Sequence, residues 1–255
     1  MAIEGMEFWS AAALIGVGLL AGVINTLAGG GSLLTLPVLL LFGLSPHAAN
    51  ATNRVAIVVQ SFAGTAFFDQ AGRLDRSGAR AVILPTLAGA LLGALLAASM
   101  PGELLRVLML GVTTGLAVLL FLRPSILAPD VEAGVTRRAP DTRNQLTLVA
   151  VGFYSGLLQA GVGLLMLAVL CGQLRYDLTA ANALKSLVIA FATLLAALIF
   201  AAAGQVLWLP GLALSIGMVA GARLAVAFSL RSSPKVLQRV VLALVLVSCV
   251  AAWIR

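Results

Sequence analysis

The stretch "GGGSLLTLP", residues 29–37, places three consecutive glycines inside an otherwise apolar part of the chain. Each glycine in a helix interior is destabilising by about 1 kcal/mol relative to alanine. The stretch therefore predicts that one helix ends here and another begins. The apolar run that follows, 32–43, gives about 18 Å of helix, which is too short to cross a hydrocarbon core of about 30 Å.

The chain as a whole has the composition of a membrane protein. Of its 255 residues 61% are hydrophobic and 10% are charged, whereas soluble domains have about 25% charged residues. Its mean hydropathy is +1.10. Apolar segments recur along the whole chain, most of them near the length of about 20 residues that a membrane helix needs. They cover 8–28, 32–43, 46–68, 79–100, 103–122, 144–160, 163–174, 178–203, 206–230 and 234–254. We therefore expect an all-α, multi-pass membrane protein.

The same composition excludes several classes of function. With one histidine and two isolated cysteines, Cys171 and Cys249, the chain cannot assemble a metal site or a nucleophile–base pair. We expect no enzyme, no metal and no cofactor. The net charge of +7 comes from basic residues scattered over loops and helix ends, without a basic patch interleaved with aromatic residues. We therefore expect the lipid bilayer as a partner and no nucleic acid.

An internal repeat organises the chain. Displacing the sequence by 132 residues aligns four patches without a gap: "ANATNR" (49–54) with "ANALKS" (181–186), "GGG" (29–31) with "GVG" (161–163), "AGRL" (71–74) with "AGQV" (203–206), and "GA" (89–90) with "GA" (221–222). In this reading Gln159 corresponds to Leu27. The repeat predicts an N-terminal transmembrane repeat at 1–122, a cytoplasmic linker at 123–143 and a C-terminal transmembrane repeat at 144–255.

The basic residues predict that the two repeats have opposite orientations. The segment 69–80 contains three arginines, whereas its partner 203–211 has no charge. Because basic loops stay on the cytoplasmic side, the first segment is predicted to be cytoplasmic and the second external. Each half then forms an inverted repeat of five segments. The short second segments, 32–43 and 163–174, are predicted to be broken helices near the membrane midplane.

Short, glycine-interrupted segments at corresponding positions of two halves indicate the binding site of a transporter. We predict substrate contacts from the start of each short segment, where backbone N–H groups and the positive end of the helix dipole favour an anion. The residues concerned are Gly29, Gly30, Gly31 and Ser32 in the first half and Gly161 and Gly163 in the second. The alternative is that the glycines only permit close packing of helices.

Polar residues within the third segment of each half are the second group of candidates. Asn50, Asn53 and Arg54 share one helix face, and Asn182 and Lys185 share the equivalent face of the other half. Both cations are placed so that their long side chains can reach a shared midplane, which predicts direct contact with the substrate. The alternative is that they extend to the interface or pair with backbone carbonyl groups.

The nine acidic residues all lie in the terminus, in loops or at helix ends. Because a site for cations needs a carboxylate at membrane depth, the predicted cavity is electropositive and its cargo is a small anion. Gln159 stands beside the second glycine cluster and has no polar counterpart in the first half. We predict that its amide is a substrate ligand.

Three stretches carry a resemblance to a known family. The stretch "GVINTLAGGGSLLTLPVLLLFGLSPHAANATNR" (22–54), with "GALLGALLA" (89–97) and "GARLA" (221–225), resembles the TauE/SafE family of membrane permeases, described as sulfite or organosulfonate exporters. The chain departs from the family's second-half pattern at Leu184 and Lys185, where the first half has Thr52 and Asn53.

The resemblance implies a secondary transporter in the bacterial inner membrane, exporting sulfite or small sulfonates of the sulfoacetate type, as a monomer or a homodimer. The alternatives are an anion channel and an accessory subunit of a larger transport complex. A flux measurement on the purified chain distinguishes the three.

Overall fold

A computed structural model describes residues 8–122 and 141–231, and every regular element in these ranges is a helix. The elements are α1 (Phe8–Leu27), α2 (Ser32–Leu41), α3 (Pro46–Gln70), α4 (Ala79–Ser99), α5 (Gly102–Leu122), α6 (Thr142–Leu157), α7 (Val162–Leu167) with a π-helical turn (Ala168–Gln173), α8 (Leu178–Ala202) and α9 (Trp208–Arg231). The expectation of an all-α protein is confirmed. The tenth predicted segment, 234–254, with Cys249, and most of the linker 123–143 lie outside the described residues.

Local capping groups define where the helices begin. Ser45 precedes α3 and its hydroxyl accepts the N–H of Ala48, with Pro46 as the first helical residue. Asp141 caps α6 and Asp177 caps α8 in the same way. Because a capping side chain satisfies an N–H group that has no acceptor within the helix, these residues fix the starts of the long helices.

Four helices in the described part of the chain are long and apolar enough to cross a membrane: α1, α4, α8 and α9. α2 and α7 with its π-helical turn are shorter apolar helices. With 10 residues, α2 extends about 15 Å, half of a hydrocarbon core. The prediction of two short helices at corresponding positions is confirmed.

α1 and α2 form a hairpin whose tip reaches the middle of α3. The amide of Asn25, near the end of α1, donates to Gln60 in the middle of α3. Thr35, in the first turns of α2, donates to Asn53, which lies closer to the start of α3. The chain therefore enters with α1, turns at Gly29–Gly31 and returns with α2. The two predicted segments make one hairpin rather than two crossings.

The hairpin tips of the two halves touch through their backbones. The N–H of Gly163 donates to the carbonyl of Gly29 over 3.1 Å. A Cβ atom on Gly29 would lie 2.2 Å from the Cα atom of Gly163, and Gly29 has a φ of +79°. Because only glycine fits these two positions, close packing, the alternative considered from the sequence, applies to both of them.

Backbone conformation supports the duplication. Six of the seven described residues with positive φ form three pairs separated by 132 residues: Gly29 with Gly161, Gly43 with Arg175, and Gly72 with Gly204. Conformations that L-residues rarely adopt thus recur at the spacing that the sequence predicts.

The repeat nevertheless contains a gap that the ungapped alignment missed. A Cβ atom on Gly22 would lie 2.3 Å from the carbonyl oxygen of Met218, and one on Gly152 would lie 2.1 Å from that of Thr86. In these equivalent crossings α4 and α9 keep the 132-residue spacing, whereas α1 and α6 are related by 130 residues. The second half therefore has two additional residues before its hairpin tip, and Gln159, with a φ of 62°, lies among them. Its alignment with Leu27 is wrong.

α3 and α8 cross the centre of the bundle in opposite directions. Arg54 lies over the ring of Phe200 at 4.8 Å, and Gly64, ten residues later, faces the hydroxyl of Ser186. Opposite directions of equivalent helices are what inverted repeats require. The assignment of each end to one side of the membrane stays a prediction.

Candidate functional site

Each hairpin tip adjoins a cluster of buried polar side chains. The Arg54 cluster consists of Asn50, Arg54, Ser155, Gln159 and Thr193, and the Lys185 cluster of Asn25, Thr26, Gln60, Asn182 and Lys185. A charge at membrane depth is unfavourable unless polar groups compensate it. The contacts of the two cations therefore decide what the clusters can do.

Arg54 is fully buried and binds the end of α6. One terminal nitrogen, Nη1, donates to the carbonyl of Ser155 over 2.9 Å and to the amide oxygen of Gln159 over 3.2 Å. The other, Nη2, donates to the carbonyl of Gly156 over 2.6 Å and to the amide oxygen of Asn50 over 3.4 Å. Because these bonds use four of the five N–H groups, the guanidinium caps the negative end of α6.

Lys185 is buried and binds the end of α1 in the corresponding way. Its Nζ donates to the carbonyl of Asn25 over 3.0 Å, to the carbonyl of Thr26 over 2.9 Å and to the amide oxygen of Asn182 over 2.6 Å. All three N–H groups of the ammonium are thereby used. Gln60 connects the side chains of Asn25 and Thr26 and so supports both carbonyl groups.

The two cations do not meet. Arg54 lies opposite Phe200, whereas Ser186, next to Lys185, lies opposite Gly64. Ten residues of helix separate Arg54 from Gly64, which corresponds to about 15 Å. The expectation of a shared midplane contact is therefore wrong for this conformation. Pairing with backbone carbonyl groups, the alternative considered from the sequence, is what the structure shows.

Unpaired donors remain around the start of α2. Gly31 precedes this helix and no side chain caps it, although its first N–H groups have no acceptor within the helix. Gly30, Gly31 and Ser32 are buried. The amide oxygen of Asn53 accepts the hydroxyl of Thr35 over 2.6 Å, while the Nδ2 of Asn53 has no hydrogen-bond partner among the described residues. The start of α2 and Asn53 thus offer donors to a ligand.

The second hairpin offers fewer free donors. Gly161, with a φ of +65°, precedes α7, and no side chain caps that helix either. The N–H of Gly163 is already bonded to Gly29. Lys185 takes the place that Asn53 has in the first half, and it binds α1. Gln159 is a bridge, because its amide contacts Arg54 and Ser155 and donates to Thr193.

Every predicted site residue is buried, but several of their partners were missed from the sequence. These are Asn25, Thr26, Thr35, Gln60 and Thr193. The criterion that singled out Asn50 and Asn53, a polar side chain within an apolar segment, applies equally to Gln60 and Thr193. Asn25 and Thr26 are polar residues directly before the glycine-rich break.

The clusters contain donors and no carboxylate. Among the described residues three buried side-chain N–H donors have no partner: Asn53 Nδ2, Arg54 Nε and Asn182 Nδ2. The described acidic residues lie in a loop or at helix starts and ends, as predicted: Asp69, Asp75, Glu103, Asp141 and Asp177. Unpaired buried donors without a neighbouring acid are suited to binding an anion that brings its own acceptors.

Comparison with known proteins gives a consistent result. Residues 14–252 match the family model described as "Sulfite exporter TauE/SafE". The "Probable membrane transporter protein YfcA" of Escherichia coli strain K12 is 30% identical over 214 residues, which are 82% of this chain and 76% of the relative. The "Probable membrane transporter protein ORF9" of Sinorhizobium is 26% identical over 92% of this chain and 89% of the relative.

A "Probable membrane transporter protein" of Haemophilus influenzae is 25% identical over 84% of this chain and 82% of its own length. No solved structure matches the chain. The family match covers all the described helices except the first residues of α1. The chain therefore belongs to the TauE/SafE family and is a multi-pass membrane transporter of the bacterial inner membrane.

Proposed function

We propose that the protein is a secondary transporter that exports small sulfur-containing anions, such as sulfite or short sulfonates. The description of the family model, a sulfite exporter, supports this class of substrate. No nucleotide-binding motif is present in the sequence. The direction of net flux therefore follows the gradients of the anion and of any exchanged anion.

The set of unpaired buried donors is the observation that carries the proposal. The anion contacts the N–H groups of Gly30, Gly31 and Ser32 at the start of α2, together with Nδ2 of Asn53. A sulfonate or sulfite presents three oxygen atoms, each of which accepts hydrogen bonds, and the helix dipole favours its charge. Arg54, the next residue in α3, contributes the free Nε and its positive charge.

The remaining candidates act by positioning the hairpins in this conformation. Lys185 has all its donors bonded to α1 and Asn182, and Asn50 donates its Nδ2 to the carbonyl of Leu157. Gln159 joins α6 to α3 and α8. Asn182 Nδ2 and the start of α7 at Gly161 and Gly163 provide the corresponding, less open surface in the second half. A homodimer stays a prediction.

Anion flux into proteoliposomes that contain only this chain tests the proposal. We expect saturable uptake of sulfite or a short sulfonate. Asn53→Asp keeps the oxygen that accepts from Thr35 but removes the free donor and adds an acid, so flux should fall at least about tenfold, the loss of one charge-assisted hydrogen bond. Asn144→Asp makes the same change at a buried asparagine near the start of α6 and should leave flux within about twofold.

Three outcomes contradict the proposal in different ways. Equal flux in the two variants removes Asn53 from the site. Flux that rises linearly with substrate indicates a channel. Absence of flux for all anions in a folded, reconstituted protein indicates an accessory subunit of a larger complex.

A further inference from the structure

The ammonium group of Lys185 lies in a shell of oxygen atoms. Its three acceptors are the carbonyls of Asn25 and Thr26 and the amide oxygen of Asn182, at 3.0, 2.9 and 2.6 Å. Two of these oxygens come from the last turn of α1, where the helix dipole is negative. The shell is suited to any small cation, and the cation that it holds is covalently attached to the chain.

The shell is held in place by residues other than Lys185. The amide of Asn25 donates to Gln60 over 2.6 Å, and Gln60 donates to the hydroxyl of Thr26 over 2.7 Å. These bonds connect the end of α1 to the middle of α3. The two carbonyl groups therefore keep their positions through contacts that do not need the lysine.

Broken helices of secondary transporters commonly bind a coupling cation through the carbonyl groups of a helix end. The Lys185 shell has this chemistry. The end of α6 is occupied in the same way, because Arg54 donates to the carbonyls of Ser155 and Gly156. Both helix ends that border a hairpin tip are thus occupied by a side-chain cation.

We propose that the oxygen shell of Asn25, Thr26 and Asn182 is a monovalent-cation site that the chain fills with its own Lys185 ammonium. For the transport activity proposed above, the consequence is that no free Na⁺ or K⁺ is needed at this site. The site itself does not depend on what the protein carries. Its existence is therefore testable without a transport assay.

Thermal unfolding of the full chain in detergent tests the site, with ammonium as the probe. Lys185→Ala leaves the three oxygens and removes their cation. Its Tm should be lower than that of the wild type, and ammonium chloride should raise it by about 3 °C or more once ammonium exceeds its Kd about tenfold. Tetramethylammonium chloride, which has no N–H donor, should not raise it at equal ionic strength. Lys185→Met fills the space of the aliphatic stem without a charge and should respond equally to both salts.

The wild type provides the complementary measurement. Because its site is filled, its Tm should be the same in ammonium, sodium and tetramethylammonium chloride. Stabilisation of the wild type by ammonium alone would overturn the proposal, as would equal responses of Lys185→Ala to the two ammonium salts. Failure to recover Lys185→Ala in every salt, including ammonium, also contradicts it. Absence of anion flux leaves these readouts unchanged and contradicts only the proposed function.

Discussion

The contact between the hairpin tips predicts a severe effect of a single methyl group. In Gly29→Ala the new Cβ atom would lie 2.2 Å from the Cα atom of Gly163, whereas carbon atoms in contact are about 3.5–4.0 Å apart. The tips must therefore separate by about 1.5 Å, which breaks the 3.1 Å hydrogen bond from Gly163 to Gly29.

Three contributions give the magnitude. Alanine at a φ of +79° costs about 1 kcal/mol, the lost hydrogen bond about 1 kcal/mol and the overpacking about 1–3 kcal/mol. We expect the free energy of unfolding to fall by about 3–5 kcal/mol, summed from the same contributions. Reversible unfolding of the purified protein in mixed micelles, followed by circular dichroism, measures this loss.

Gly43 is the matched control. It has a φ of +83°, but a Cβ atom there would have no neighbour within 4 Å. Gly43→Ala therefore isolates the backbone contribution and should cost only about 1 kcal/mol. Equal losses of stability in the two variants would refute the argument that the tips are in backbone contact.

Two further predictions concern the anion site and the orientation of the repeats. Arg54→Lys keeps the charge but has three donors in place of five, so affinity for sulfite, measured by equilibrium binding to purified protein, should fall about tenfold. Wild-type affinity in this variant would show that the charge alone matters. Ala71→Cys and Ala203→Cys are exposed positions 132 residues apart, introduced after both native cysteines have been replaced. An impermeant thiol reagent should label Ala71→Cys only from the cytoplasm and Ala203→Cys only from outside, because the repeats are inverted. Labelling of both from the same side would contradict the inversion.

The helices could be predicted from the sequence because each depends on local hydrophobicity and local breaks. The glycines at 29–31 end α1, and the short run after them is α2, as expected. The 132-residue spacing was also visible, since it survives in the pairs of residues with positive φ. The two additional residues before the second hairpin tip were not detected because they disturb only α6, where few distinctive residues mark the register.

The partners of the two cations could not be predicted, because they depend on packing between residues far apart in sequence. Arg54 binds carbonyls about 100 residues away, and backbone carbonyl groups have no sequence signature. The sequence identified Arg54 and Lys185 as buried cations that need compensation. It could not show that helix ends, rather than a substrate, provide most of it.

The reciprocal capping of the two halves has a consequence for biosynthesis. Arg54 enters the membrane with the first half, but the carbonyl of Ser155 that receives it is 101 residues further along the chain. At about 5–20 residues per second, the ribosome needs on the order of 5–20 s to supply it. During that interval the nascent first half carries a cation without its acceptors, so it depends on the translocon or on water to shield the charge. Either half produced alone would remain in that state, and only co-expression of both should yield a stable protein.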